Sequence, residues 1–245
     1  MNNSTNQNII CNLSNLGFLE VSGTDALTFL QGQVTNDVKQ LTLSSQAHLT
    51  AYCNPKGRML ALFLAFYQND CFNLQFNRSL LEPIMKRLKM YVMRSKVEIK
   101  DNSENFIIFG IDGPEASSIL ASSLTKLSFD IELPKKNYEF VTFSNTLILM
   151  LPSIAGRTRF QVITDTTNAS DIKNTLKQYC QVEEQTYWDW LDIKAGIPDV
   201  LIATQEQFVP QMLNLDLLNG INFKKGCYTG QEIVARTHYL GSVKR

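Results

Sequence analysis

The sequence has few of the features that mark a metal site or a surface for binding polyanions. Its 245 residues include 23 basic and 23 acidic side chains, so the formal net charge is zero. A balanced chain has no general attraction to nucleic acid or to an anionic membrane, and we expect no strong direct binding to nucleic acid. The five cysteines are odd in number, and no two have the C-x-x-C spacing of a zinc or thioredoxin-type site. We therefore predict no metal site and no stable iron–sulfur cluster.

The sequence also lacks segments that would direct the chain to a membrane. Its first ten residues have no basic region followed by a long apolar one, and no stretch reaches the roughly 18 apolar residues that a bilayer span needs. Unpaired cysteines then fit a reducing compartment, so we predict a cytoplasmic protein with no membrane partner. With 44% hydrophobic residues, the chain can bury a core in one or two domains.

The pattern of apolar residues predicts an α+β fold rather than a doubly wound parallel sheet, because runs of strands are mixed with separate helices. Polar residues 1–15 predict a loose N-terminal arm. Turn residues separate three predicted strands, which indicates an antiparallel meander: Ala47–Cys53, Arg58–Tyr67 and Cys71–Phe76. Further segments are predicted to be helices: 24–31, Ser79–Met93, Gly113–Leu124, Asp171–Cys180, Glu183–Ala195 and one that begins near Gly230.

One segment, Asn222–Arg236, has the residue types of a reactive site. Thr229 and Glu232 form a capping-box pattern, so Cys227 is predicted to lie just outside the N-terminus of a helix. The positive end of that helix, together with Lys224 and Lys225, would favour a thiolate. Gly226 and Gly230 would allow close approach of the backbone to another group.

The same cysteine could instead be a small buried hydrophobe at a helix entry, which is common for this residue type. A cysteine hydrolase would need a base, and His48 and His238 are the only histidines. Neither has a sequence context that indicates this role. His238 is about three helical turns from Cys227 in sequence, which argues against direct pairing.

Several motifs of the chain resemble those of the YgfZ family. Lys225–Glu232 reads KGCYTGQE and resembles the K-G-C-Y-x-G-Q-E signature of that family. The resemblance runs from about Leu16 to Arg245 and includes four other segments: Leu30–Val38, Pro55–Met59, Ala195–Pro198 and Phe208–Gln211.

The resemblance implies a fold related to the T-protein of the glycine cleavage system, with antiparallel Greek-key or ferredoxin-like sheets and flanking helices around a central tetrahydrofolate pocket. It implies a discontinuous folate-binding domain, residues 1–105 and 185–245, with an α+β domain of residues 106–184 inserted. The C-terminal β-barrel domain of many relatives is expected to be missing. The implied role is that of a folate-binding accessory protein in the assembly or repair of iron–sulfur enzymes such as a tRNA methylthiotransferase, and hence in tRNA modification.

The resemblance also assigns roles to individual residues. Cys227 falls on the cysteine of the family signature and is the candidate catalytic residue. The candidate folate-binding residues are Trp188, Tyr228, Gln231 and Asn77. The remaining motif residues are Lys225, Gly226, Gly230, Glu232 and Arg236. The indole of Trp188 could stack on a pterin ring, although core packing on its helix is an equally good reading.

Three positions depart from the pattern of the relatives. The aminomethyltransferases carry an aspartate shortly after the Pro55–Met59 turn, whereas Met59–Phe63, which includes Ala61, has no carboxylate. Lys194 replaces an acidic residue, and Leu16 replaces a tryptophan. Aminomethyl transfer is therefore the weaker alternative. Two readings stay open: a folate-dependent, transferase-like activity that uses Cys227, and a non-catalytic folate-binding or protein-docking module. The basic stretch Lys86–Lys96 could dock RNA or an acidic partner, but a solvated helix face is favoured.

Overall fold

The computed structural model describes residues 7–154 and 156–241, which form two compact units. The first unit contains residues 7–15 and Glu104–Ile197, and the second contains Leu16–Ser103 and residues 198–241. The strands are β1 (Ile9–Asn12), β2 (Leu16–Ser22), β3 (His48–Cys53), β4 (Met59–Gln68), β5 (Cys71–Asn77), β6 (Glu98–Asp101), β7 (Ile107–Gly113), β8 (Phe140–Phe143), β9 (Thr146–Leu151), β10 (Thr158–Thr164) and β11 (Gln181–Glu183). The α-helices are α1 (Ala26–Gln31), α2 (Leu81–Val92), α3 (Ala116–Lys126), α4 (Thr166–Leu176), α5 (Gln185–Lys194) and α6 (Gln231–Leu240).

The first unit is a six-stranded sheet in the order β11-β1-β7-β10-β9-β8, with α3 and α4 packed together. Its strand pairs are antiparallel except for β1 and β11, which run parallel. Apolar side chains from sheet and helices share one core, which includes Ile10, Phe109, Leu120, Phe160 and Ile172. The mixture of antiparallel strands and separate helices confirms the α+β prediction.

The N-terminal segment of the described chain is a buried strand, so the prediction of a loose arm is wrong for residues 7–15. β1 lies between β7 and β11, and Ile9, Ile10 and Cys11 are buried. The polar composition of the arm concealed a short apolar run that fills a place in the sheet. Residues 1–6 of the predicted arm lie outside the described residues.

The second unit is a five-stranded antiparallel sheet in the order β3-β4-β5-β2-β6, which confirms the predicted meander. The side-chain oxygen of Asn54 accepts hydrogen bonds from the backbone N–H groups of Lys56 (2.9 Å) and Arg58 (3.0 Å). This Asx-type turn joins β3 to β4. The buried face of α2 consists of Leu81, Ile84 and Leu88, and the helix packs on β2 and β6.

Several helix starts differ from the predictions, and α2 and α5 each begin two residues later than predicted. Gly113 belongs to β7, so α3 begins at Ala116. α4 begins at Thr166, five residues before the predicted start, because the Asp165 side chain caps the helix by accepting a hydrogen bond from the N–H of Asn168 at 2.9 Å. α1 has Asp25 rather than Thr24 at its N-cap.

The two units divide the chain differently from the predicted domains, 1–105 with 185–245 and 106–184. Residues 7–15 and α5 belong to the first unit, together with the predicted insert. The reason is direct packing: β1 pairs with β7 and β11, and α5 packs against β1. Among the described residues, no helix is long and apolar enough to cross a membrane.

Candidate functional site

Cys227 lies in the second unit, on the loop that precedes α6, and its side chain is exposed. The other cysteines are less accessible. Cys11, Cys53 and Cys180 are buried, and burial raises their pKa values to about 12, 12 and 11. Cys71 is half-buried, and burial and the nearby Glu20 raise its pKa. The structure therefore singles out the cysteine that the sequence identified.

The helix after Cys227 begins later than the capping-box pattern predicts. α6 starts at Gln231, its N-cap is Gly230, and no side chain caps it, so the prediction that Thr229 and Glu232 form a capping box is wrong. Gly230 has φ +83°, a left-handed conformation that differs from the extended backbone of an ordinary Ser or Thr cap. Cys227 thus lies three residues before the N-cap, separated from the helix by a turn in which the N–H of Gln231 donates to the carbonyl of Tyr228 at 3.1 Å.

We call residues 222–230, which precede α6, the Cys227 loop. Lys225 anchors this loop from inside the second unit. Its side chain is only 8% exposed, and its Nζ donates to the carbonyl oxygens of Val34 at 2.6 Å and Asn36 at 2.7 Å. The ammonium also lies 5.3 Å from the centre of the Tyr228 ring. Burial lowers the pKa of Lys225 to about 8. This lysine therefore links the loop to the segment after α1.

The segment after α1 is itself held by buried polar side chains. The Thr35 hydroxyl donates to the carbonyl of Gly220 at 2.7 Å and accepts from the N–H of Ala51 at 2.9 Å. The Asn36 amide donates to the carbonyls of Leu49 at 2.9 Å and Asn219 at 2.8 Å. These contacts tie the strand β3 to the chain that leads into the Cys227 loop. Local sequence patterns do not predict this link for Asn36, because Asn219 is 183 residues away in the chain.

The other end of the loop is packed against the turn between β3 and β4. A Cβ atom added to Gly230 would lie 2.5 Å from the carbonyl oxygen of Asn54, and one added to Gly57 would lie 2.9 Å from Ile233. The buried Gln211 side chain donates to the carbonyl of Val234 at 2.7 Å. Gly230 therefore has a close backbone contact, as predicted, whereas Gly226 has open space around it.

The three remaining motif residues differ in accessibility. The Tyr228 ring is buried, and burial together with Cys53 raises the pKa of its phenol. Glu232 and Arg236 are exposed on α6. The loop therefore has two buried anchors, Lys225 and Tyr228, on either side of the exposed Cys227.

Comparisons with known proteins show which family the chain belongs to. Residues 1–164 match the GCVT N-terminal domain family. The chain is 36% identical over 236 residues to tRNA-modifying protein YgfZ of Yersinia pestis (strain Pestoides F), which covers 96% of this chain and 68% of the relative. It is 38% identical over 225 residues to the protein of the same name from Escherichia coli O157:H7, which covers 92% of this chain and 66% of the relative. The chain belongs to the YgfZ family.

The fold of this YgfZ family member is that of the glycine cleavage T-protein. Aminomethyltransferase T from Bartonella henselae superimposes with a TM-score of 0.76 at 15% identity, over 97% of this chain and 65% of that structure. The chain spans about two thirds of the length of these relatives. The expected fold class is confirmed.

The candidate folate-binding residues of the second unit differ in their burial and in the hydrogen bonds that their side chains make within the protein. The Asn77 amide donates to Asp199 at 3.2 Å, and its oxygen accepts from the N–H and hydroxyl of Ser79. The Tyr228 ring is buried. The half-exposed Gln231 amide has no hydrogen-bond partner within the described part of the chain.

Trp188, the fourth candidate, is 2% exposed and lies in the first unit. Its indole is 4.4 Å from the guanidinium of Arg159 and lies so close to Gly110 that an added Cβ would be 2.2 Å from the ring. Arg159 is itself fully buried and donates to Asp192 at 2.6 Å. The tryptophan therefore packs in the interior of its own unit, and its contact with folate stays a prediction.

Within the described residues, neither histidine makes a hydrogen bond with Cys227. The Nε2 atom of His48 is buried without a hydrogen-bond partner, and burial and Lys225 lower the pKa of its ring to about 4. The His238 ring stacks on Phe223, with the ring centres 3.8 Å apart. His48 is therefore neutral at pH 7, and the charge of Lys225 contributes to keeping it so.

His48 is expected to make the protein sensitive to acid. Its pKa is about 4 when folded and 6.5 when unfolded, so the unfolded state binds more protons between these values. The stabilising contribution is complete above pH 6.5 and is lost as the pH falls to 4, by about 3 kcal/mol. His48→Gln should flatten this loss in urea unfolding measured from pH 7 to 4, and His238→Gln should not. An unchanged slope for His48→Gln would contradict the assignment.

Proposed function

We propose that this chain is a cytoplasmic tRNA-modifying accessory protein of the YgfZ type, which acts through the thiol of Cys227. The observation that carries the proposal is the exposed sulfur on a loop with fixed ends. Lys225 and Tyr228 are buried on either side of Cys227, and Gly230 packs against Asn54. A nucleophile held in this way is presented to a partner without a loss of loop entropy on binding.

The client of this thiol is proposed to be an iron–sulfur enzyme, such as a tRNA methylthiotransferase. Two relatives from different bacteria carry the name tRNA-modifying protein, which supports a role in tRNA modification. The described residues contain no group of three or more His, Cys, Asp or Glu side chains that could hold a metal. The proposal therefore places the cluster on the client and an exposed thiol on this chain.

Tetrahydrofolate is the proposed small-molecule ligand, because the T-protein fold relates this chain to folate enzymes. The four candidate side chains fit this ligand only in part. Trp188 and Tyr228 are buried and Asn77 is engaged, which leaves the amide of Gln231 free to contact a ligand. The folate proposal thus rests on the fold, and no reaction step is derived from it.

The test of the proposed function replaces the exposed sulfur alone. In a strain that lacks the gene, the Cys227→Ala variant should fold normally and fail to restore methylthio nucleosides in bulk tRNA, measured by mass spectrometry. Cys71→Ala is the matched control, since it removes the half-buried thiol of β5. It should restore the modification fully. Full restoration by Cys227→Ala would refute a role for the thiol.

A second candidate function is a binding or docking module without chemistry of its own. It is favoured because no histidine in the described part of the chain is hydrogen-bonded to Cys227: the Nε2 atom of His48 is buried without a partner, and the His238 ring is stacked on Phe223. The rate of Cys227 alkylation at neutral pH separates the two functions. A rate above that of an ordinary exposed thiol supports the reactive site, and an equal rate supports the module.

Aminomethyl transfer is not supported by the structure of the strand that would carry its carboxylate. Met59–Phe63 is part of β4, all five side chains are buried, and none is acidic. A general acid or a stabiliser of developing charge is therefore missing at that place.

A further inference from the structure

The second half of α2 and the turn after it carry a concentrated positive charge. Five cations lie within Lys86–Lys96, at Lys86, Arg87, Lys89, Arg94 and Lys96, and no acidic residue lies among them. Since the whole chain is neutral, the rest of it is net negative. Solvated helix faces commonly mix charges of both signs, so this segregation needs an explanation. We call residues 86–96 the α2 surface.

Four of these cations are available to a partner. Lys86, Lys89, Arg94 and Lys96 are exposed, and none of their side chains makes an ion pair or hydrogen bond within the described residues. Arg87 differs, because it is half-buried, and its charge lies near enough to the Tyr52 phenol to oppose the rise that burial causes in the pKa of that group. Three acidic residues lie close to these cations in sequence or in space, and none pairs with one of the four side chains. Glu82, four residues before Lys86, makes no ion pair within the described residues, Glu98 pairs with Lys100 at 2.9 Å, and Asp25 accepts from the backbone N–H of Lys96 at 2.7 Å.

Large apolar side chains lie among the four free cations. Met90 is 63% exposed, Tyr91 is 42% exposed and Met93 is 87% exposed. They do not belong to the core, because α2 packs on the sheet through Leu81, Ile84 and Leu88. Protein interfaces are enriched in methionine, aromatic residues and arginine at an apolar centre, with charged groups at the rim. A nucleic-acid backbone needs the cations and makes no use of thioethers.

We propose that the α2 surface docks a protein partner that presents an apolar patch surrounded by acidic side chains. The inference rests on the proposed function, which supplies the kind of partner: the iron–sulfur enzyme that uses the Cys227 thiol. The charges would guide the encounter, and the two methionines and Tyr91 would provide the contact that sets the lifetime of the complex.

The test measures binding of this chain to the purified enzyme that methylthiolates tRNA in the same organism. In surface plasmon resonance, Lys86→Glu with Lys89→Glu should slow association about tenfold and reduce its dependence on salt. Met90→Ala with Met93→Ala should speed dissociation about tenfold at a similar association rate. Lys135→Glu with Lys136→Glu, at exposed positions of the first unit, is the matched charge control and should change neither rate.

Three results would overturn the docking proposal. The first is that the unaltered chain does not bind the enzyme, and the second is that both α2 variants bind it as well as the control does. The third is a loss of binding to total tRNA or to anionic lipid vesicles in the charge variant while binding to the enzyme is unchanged, which would assign the surface to another class of partner.

The cellular readout separates failure of docking from failure of the proposed function. If the α2 charge variant restores tRNA methylthiolation fully and Cys227→Ala does not, docking is refuted and the thiol function stands. If Cys227→Ala restores it fully, the thiol function is refuted, and the binding rates alone decide the docking proposal.

Discussion

Replacing Gly230 with alanine is expected to lower the free energy of unfolding by about 3 kcal/mol or more. Gly230 has φ +83°, which costs an alanine about 1–2 kcal/mol. Its new Cβ would also lie 2.5 Å from the carbonyl oxygen of Asn54 and 2.9 Å from the Cα of Gly57, and both are backbone atoms of a tight turn. The clash would push α6 and the Cys227 loop away from the turn between β3 and β4. Urea unfolding gives the change in free energy.

The matched control for Gly230 is the other glycine of the same loop. Gly226 has nothing within 4 Å of an added Cβ and does not have a positive φ. Gly226→Ala is therefore expected to change stability by less than about 0.5 kcal/mol, as is usual for surface positions. Equal losses for both variants would show that Gly230 is not held by the turn. If Gly230→Ala left the free energy of unfolding unchanged, the close contact between Gly230 and the carbonyl of Asn54 would be contradicted.

Local patterns were sufficient to predict much of the fold. The meander of β3, β4 and β5 followed from apolar runs separated by Pro/Gly and Asn/Asp turns, and the turn at Asn54–Gly57 forms as expected. The place of β1 could not be predicted in this way. Ile9–Asn12 is four residues long, and its partners Gln181–Glu183 and Ile107–Gly113 are about a hundred residues or more away. Such pairing is decided by tertiary packing.

The site could be predicted only in part, because some of its contacts join residues that are far apart in the chain. Its signature pointed to Cys227, and the structure exposes that cysteine. The capping-box prediction failed because Gly230 occupies the cap in a left-handed conformation, so the helix starts after it. From the sequence, Lys225 was predicted to lie near the sulfur of Cys227 and to favour its thiolate form. Its donation to Val34 and Asn36, about 190 residues earlier, has no local signal.

Lys225 is the second residue whose replacement should have a large effect. In Lys225→Met the carbonyls of Val34 and Asn36 lose their donor inside the protein, which costs about 2 kcal/mol at pH 7. Lys224→Met is the matched control, because its side chain is exposed and makes no hydrogen bond within the described residues. The control should stay within about 0.5 kcal/mol of the unaltered protein.

The deficit of Lys225→Met is also expected to grow in alkali. The pKa of Lys225 is about 8 in the folded state and 10.5 in the unfolded state, so between these values the unfolded state binds more protons. The lysine therefore stabilises the fold increasingly as the pH rises from 8 towards 10.5, by up to about 3 kcal/mol. A neutral amine still has two N–H donors, one for each carbonyl. Urea unfolding of both proteins at pH 7, 8, 9 and 10 measures the difference, in which the other titrating groups cancel. A difference that stays constant or shrinks over this range would show that the ammonium is not desolvated, and that the loop is held by Tyr228 and Gly230 instead.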